Sequence, residues 1–187
     1  MHDLSTRRRS ILVTCGRGIA PLLAAEVSDL KLPTRIAGAS AVSTRGTLID
    51  AMRLNLALRC AQRVLLEIGH TDRATDAAAL YDAAVALPWE AWLPVDGRFS
   101  ITVNVRNPTI RDTRYAALKL KDAIADRMTD RLGRRPDAGA QRLGAAVIHL
   151  HWQQQRAVSL HALHPRRAQQ RIVRCPGHVS SATDQHG

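Results

Sequence analysis

Aromatic side chains are scarce in this 187-residue chain, where Phe, Trp and Tyr together make up 3%. A surface that held single strands chiefly by base stacking would need more of them. Cysteine is rare too: Cys15, Cys60 and Cys175 lie far apart and form no CxxC pair, so neither a disulfide framework nor a zinc ribbon is suggested. The expected setting is a reducing cytoplasm. The apolar run after the basic N-terminus is far too short for a signal peptide and no later run reaches membrane-spanning length, so a soluble chain is expected. Negative charge is also in short supply. Asp and Glu number 16 against 27 Lys and Arg, giving a formal charge of +11 and a pI near 11.1. Such an excess favours a polyanionic partner, and Arg, which far outnumbers Lys, matches phosphate oxygens bidentately.

The residues that are present, 45% of them hydrophobic, suffice for one medium domain or two small ones with real cores. Ile11 to Val13 reads as a strand ended by Cys15-Gly16-Arg17-Gly18, followed by a helix over Ile19 to Leu30 with Leu22, Leu23 and Val27 facing inward. Thr34 to Ala37 and Ala41 to Ser43 are two further strands. A helix opening near Asp50 carries Met52, Leu56 and Cys60 on its apolar side, and Arg63 to Ile68 is a strand. Strand, helix, strand, strand, helix, strand is a ferredoxin-like order, here expected over residues 1–69. Gly69 to Thr75 reads as a linker into a second unit, residues 70–163. That unit starts with a helix over Asp76 to Leu87 and an elbow, Pro88 to Pro94, whose Trp89 and Trp92 are expected core anchors. Residues 164–187 lack periodicity and are expected to be a disordered tail.

The chain is organised around Phe99 to Pro136. Phe99, Ile101, Val103 and Val105 alternate with polar residues in a half-buried strand, Asn107-Pro108 ends it, and Thr113 is positioned to cap a helix carrying Ala117, Leu120, Ile124 and Met128 inward. Arg106, Asn107 and Arg111 in the connecting loop, Arg114, Lys119 and Lys121 on the first turns, and Arg134 and Arg135 after the helix form a candidate phosphate-contacting rim. Asp122, Asp126 and Asp130 beside Arg127 and Arg131 read as local ion pairing, not acid–base chemistry. The last two strands are expected over Ala146 to Trp152 and Arg156 to Leu163. His149 and His151 share a strand face, but with His161, His164, Cys175 and His178 they make no familiar zinc spacing, so no metal is expected. Cys15-Gly16-Arg17-Gly18 lacks the spacing of a phosphate loop and reads as a tight turn.

Four segments, LVTCGRGIAPLLAAEV, GTLIDAMRLNLALRCAQRVLL, PWEAWLP and RNPTIRDTRYAALKLKDAIADRMTDRLGRRP, carry a family resemblance. In order and at suitable spacing, from about Ile11 to Leu160, the chain resembles the N-terminal part of the THUMP-containing class I RNA methyltransferases, in the branch that modifies guanine N2 of large-subunit ribosomal RNA. The resemblance implies an α+β fold, a ferredoxin-like subdomain followed by a THUMP domain, that binds structured RNA and presents it to a separate catalytic domain. S-adenosylmethionine would belong to that catalytic domain, and no cofactor is expected in these residues. The family's Asn-Pro-Pro-Tyr type motif is not matched, and His161 to Arg167 stands where relatives have an acidic, leucine-containing run. A truncated or frameshifted product is therefore expected, with no catalytic activity of its own. Three readings stay open: an RNA-binding module, the recognition subunit of a split methyltransferase whose catalytic chain docks on this one, and an inactive remnant.

Overall fold

The computed structural model describes residues 6–93, 98–106, 112–138, 146–154 and 156–163. The loop residues 107–111 and the expected tail, 164–187, lie outside the described residues.

The first unit runs β1 (Arg9–Cys15), α1 (Ala20–Asp29), β2 (Thr34–Ile36), β3 (Ala41–Gly46), α2 (Leu48–Ala57) and β4 (Ala61–Thr71). Local chemistry sets the boundaries. Pro21 sits in the first turn of α1, where a missing N–H costs nothing. The start of α2 is a reciprocal capping box: the Asp50 amide donates to Thr47 Oγ1 at 3.2 Å, and the Thr47 amide donates to Asp50 Oδ2 at 2.9 Å. Asp76 caps the helix that opens the second unit by accepting from the Ala79 amide at 2.9 Å. That unit continues through α3 (Ala77–Val85), a 3₁₀ turn (Trp89–Ala91), β5 (Arg98–Arg106), α4 (Thr113–Leu132), β6 (Asp137–Ala138), β7 (Ala146–Gln153) and β8 (Arg156–Leu163).

All eight strands join one sheet in the order β2-β3-β1-β4-β8-β7-β5-β6. The first four reproduce the ferredoxin-like arrangement. Parallel β5 and β7 are linked by the α4 crossover, and β8 turns back antiparallel to β7. The two units meet where β4 pairs antiparallel with β8, from Val64↔Leu163 to Thr71↔Ala157. Gly69, His70 and Thr71 therefore belong to a strand, where a polar linker was expected; β8 supplies the partner that their sequence does not advertise. The register shifts between Glu67 and Gly69, and a Cβ at Gly69 would run into the Leu87 side chain, so glycine permits this close approach.

Each half has a core between the sheet and its helices. Ile11, Val13, Leu23, Val27, Leu54 and Leu66 are central to the first. The second is built on Trp89, Phe99, Leu120, Ile124, Met128 and Trp152. Both fully buried indoles are satisfied: Trp89 Nε1 donates to Ala84 O at 2.7 Å and Trp152 Nε1 to Ala74 O at 2.9 Å. Trp92 packs against both cores.

Several expected core positions face outward. Leu22 is 64% exposed, Met52 51% and Leu56 80%. The sheet meets α2 through Ala51 and Leu54 instead, because a small Ala allows close approach and sets a helical phase that turns Met52 and Leu56 away. Cys60 lies beyond the end of α2, half-buried before β4. In α4 the buried side includes Ala116, Leu120, Ile124 and Met128, while Ala117 is half-buried, and the cap is Asp112 in place of Thr113.

Candidate nucleic-acid interface

The expected rim divides between two places. Arg106 ends β5 and Arg114 lies in the first turn of α4, so the strand exit and helix entry bring these two exposed side chains to one end of the second unit. Asn107 and Arg111 fall in the loop between them, outside the described residues. Arg134 and Arg135 are exposed at the other end of α4, past Gly133, whose positive φ of 67° lets its amide close onto Thr129 O at 2.8 Å. The 20 residues of α4 separate the two pairs by about 30 Å. Lys119 and Lys121 are half-buried and, two residues apart, project about 160° apart around the axis. Lys119 Nζ lies 5.7 Å from the Tyr115 ring centroid.

The helix entry already holds an anion. Asp112 Oδ1 accepts from the Arg114 amide at 2.8 Å, so this carboxylate, and not an external phosphate, takes that donor.

Elsewhere on the helix layer, several charges are committed to neighbours. Arg127 meets Glu90 through two donors, at 2.9 and 3.3 Å, and these hydrogen bonds hold the Glu90 carboxyl below its ordinary 4.5. Tyr81 Oη donates to Asp126 at 2.7 Å, which raises the phenol's pKa. The Glu26 carboxylate accepts from the Arg59 and Cys60 amides, both at 3.1 Å.

The other face of the sheet differs. Period-two alternation turns Ile11, Val13, Val42, Val64 and Leu66 toward the helices, and so aims their strand neighbours the opposite way. The register places Arg35, Arg45, Arg63, Arg106 and Arg156 on that away face, together with Ser10, Ser43, Thr102 and Asn104. All five arginines are exposed. Among β1 to β5, β7 and β8, Glu67 is the one acidic residue, and its Oε1 sits 2.7 Å from His70 Nδ1. Arg156 lies 3.8 Å from Asp72. Arg45, Arg63 and Arg106 have no carboxylate within ion-pair distance among the described residues. Arginines 35, 45, 63 and 156 were missed in the sequence because they stand singly in separate strands; only alternation combined with strand order gathers them. His149 and His151 share this face. Burial, then the nearby charge of Arg106, lowers the His151 pKa from its ordinary 6.5. Among the described residues no three His, Cys, Asp or Glu come together as a metal cluster.

A further basic residue joins the two units. Arg9, at the start of β1, donates through Nη1 to Ile68 O at 2.8 Å, and its guanidinium lies 5.0 Å from the Trp92 ring centroid.

The turn after β1 does not fit S-adenosylmethionine. The Gly18 amide donates to Ala39 O at 2.8 Å and the Cys15 amide to Ser40 O at 2.9 Å, so these donors serve the β2–β3 connection. A Cβ at Gly16 would lie 3.1 Å from Ile19 Cδ1, so side chain fills the place a cofactor cradle would need.

Two family models match in sequence order: the RlmL ferredoxin-like domain over residues 10–65 and the THUMP domain over residues 74–141. The chain is thus a ferredoxin-like domain of the RlmL type joined to a THUMP domain. Over 143 residues it is 34% identical to the ribosomal RNA large subunit methyltransferase K/L of Dichelobacter nodosus, a match covering 76% of this chain and 20% of that protein. Over 161 residues it is 36% identical to the protein of the same name from Pseudomonas aeruginosa, covering 83% and 22%. The match falls on the ferredoxin-like and THUMP domains, and the chain spans about one fifth of the length of these relatives. Its fold is shared with the crystal structure of a predicted N6-adenine-specific DNA methylase from Listeria monocytogenes, with a TM-score of 0.71, 24% identity and coverage of 83% of this chain and 40% of that one. It is shared too with a 4-thiouridine synthetase in a crystal structure with RNA and bound ATP, with a TM-score of 0.52, 8% identity and coverage of 84% and 41%. At these identities the likeness is one of fold. No helix among the described residues is long and apolar enough to cross a membrane.

Proposed function

We propose that this chain is an RNA-binding module that holds ribosomal RNA for a methyltransferase domain in the cytoplasm. The observation that carries the reading is the division of charge: Glu26, Glu90 and Asp126 on the helix layer are met by nearby donors, while arginines 35, 45, 63, 106 and 156 stand exposed on the opposite sheet face. The name of the K/L relatives supplies ribosomal RNA as the polyanion, and the synthetase with a THUMP-like fold was crystallised with RNA. The role is positioning. Arginine forks and strand hydroxyls suit recognition by backbone shape and 2′-hydroxyl contacts, which needs few aromatic side chains.

Within this reading, Arg106, Asn107, Arg111 and Arg114 contact phosphates at one end of α4, flanked by Lys119 and Lys121, and Arg134 and Arg135 contact them about 30 Å away at the other. Methyl transfer and S-adenosylmethionine belong to a catalytic domain, on the same polypeptide or on a partner chain. The roughly fivefold greater length of the relatives favours such a domain acting with these residues.

The test is binding of the 187-residue chain to a large-subunit ribosomal RNA fragment and to a length-matched DNA duplex across a salt series. A preference for RNA that survives added salt is expected. Equal binding to both that vanishes with salt would leave a basic surface without selectivity and would sink the proposal.

A further inference from the structure

The away face of the sheet contains a groove of about 480 Å³ that no element of the proposed α4 contacts lines. Ser10 on β1, Arg35 on β2, Ser43 and Arg45 on β3, His151 on β7 and Arg156 on β8 are among its walls. Its residues come from both units, because β4 and β8 pair across the boundary. From β3 to β8 is three strand spacings, about 14 Å.

We infer that this groove is a second RNA-contacting site, one that takes a sugar–phosphate strand laid across the junction of the ferredoxin-like and THUMP units. The inference rests on the RNA reading given above and names a different surface for it. Charge complementarity selects the occupant. Arg35, Arg45 and Arg156 furnish planar donors for phosphate oxygens, while the single acid in the walls, Glu67, has its carboxylate against His70. Ser10 and Ser43 bring hydroxyls to the same walls, suited to 2′-hydroxyl groups. No Phe, Tyr or Trp lines the groove among the described residues, so the site reads backbone and does not stack bases. Leu12 and Pro33 add apolar wall between the charges, against which ribose can rest, and an acidic peptide would lack the regular phosphate spacing that a row of separated arginines can follow.

Little folding energy is tied up here. Arg156 is 61% exposed at the side chain and only 3.8 Å contact holds it to Asp72, while Arg35 Nε reaches Ser43 Oγ at 3.4 Å. Exchanging these arginines for glutamine therefore removes charge without removing packing.

The experiment compares three forms of the full chain: the parent, R35Q/R45Q in the groove, and K31Q/R53Q, which removes the same charge from the helix side. Each is titrated with one large-subunit ribosomal RNA hairpin across a salt series, after thermal melts establish equal folding. The groove pair is expected to lower the slope of log affinity against log salt by about two units, and the helix-side pair by less than half a unit. Arg156→Gln, on the second unit, is expected to lower it by about one. If the parent binds RNA but the groove and helix-side pairs behave alike, the groove is wrong and the RNA reading stands. If Arg35 and Arg45 matter and Arg156 does not, the crossing of the unit junction is wrong. A parent chain that does not prefer RNA overturns both proposals together.

Discussion

The helix layer and the opposite sheet face use charge in opposite ways. On the helices, Glu90 meets Arg127, Asp126 meets the Tyr81 hydroxyl, and Asp50 closes a capping box with Thr47. On the sheet face Arg45, Arg63 and Arg106 stand without a carboxylate partner among the described residues. A charge that is paired contributes to the fold; an array of like charges facing water contributes nothing to it and attracts polyanions. Changes at the paired charges of the helix layer should thus move stability and leave binding alone, and changes at the unpaired arginines of the sheet face should do the reverse.

The strongest disturbance comes from the core beneath the helices. Trp89→Ala deletes a fully buried indole and removes its hydrogen bond to Ala84 O, which keeps only backbone donors such as the Leu87 amide; a loss of about 3–5 kcal/mol is expected in urea unfolding. Next comes Glu90→Gln, expected to cost about 1–2 kcal/mol because Arg127 is largely buried beside it. Its sign with pH is fixed. The folded pKa of Glu90 lies below the ordinary 4.5, so its contribution is fully present above that value and is lost as pH falls through the folded pKa. The Gln variant should show a shallower fall in stability on acidification than the parent, and parallel acid limbs would remove this assignment.

Thr47→Ala is smaller, about 1 kcal/mol, since one cap is lost from a ten-residue helix. The Asp50 carboxyl, held low chiefly by the Thr47 backbone amide, should rise only modestly in an NMR titration of that variant, because the amide remains. Arg63→Gln is the smallest in stability, within about 0.5 kcal/mol in a thermal melt, yet it should lower the RNA salt slope by about one if the whole away face takes part. A destabilised Arg63→Gln with unchanged binding would break the division between the layers.

Much of the fold was legible because alternation and capping are local. Phe99 to Val105 declared a strand, and Asp50 and Asp76 marked where helices begin. What was not legible depended on partners distant in sequence. Gly69 to Thr71 looked like a linker until β8 lay beside it, and Met52 and Leu56 looked buried because apolar spacing alone does not say which side of a helix the sheet will meet. The basic residues after β5 and around α4 were visible as a cluster in the sequence, but a 20-residue helix carries its two ends apart. Arginines 35, 45 and 156, single in their own strands, become neighbours only through the sheet order.

The β4–β8 pairing also has a consequence during synthesis. All six elements of the first unit are complete once residue 71 has been made, yet one long side of β4 waits for residues 157–163 to satisfy its amides and carbonyls. Until then the nascent chain presents the open side of β4 carrying Val64, Leu65 and Leu66, the kind of edge that recruits strands from other molecules. A ribosome pausing between those two points would hold the chain at its most aggregation-prone length, so smooth passage through the second unit protects the first.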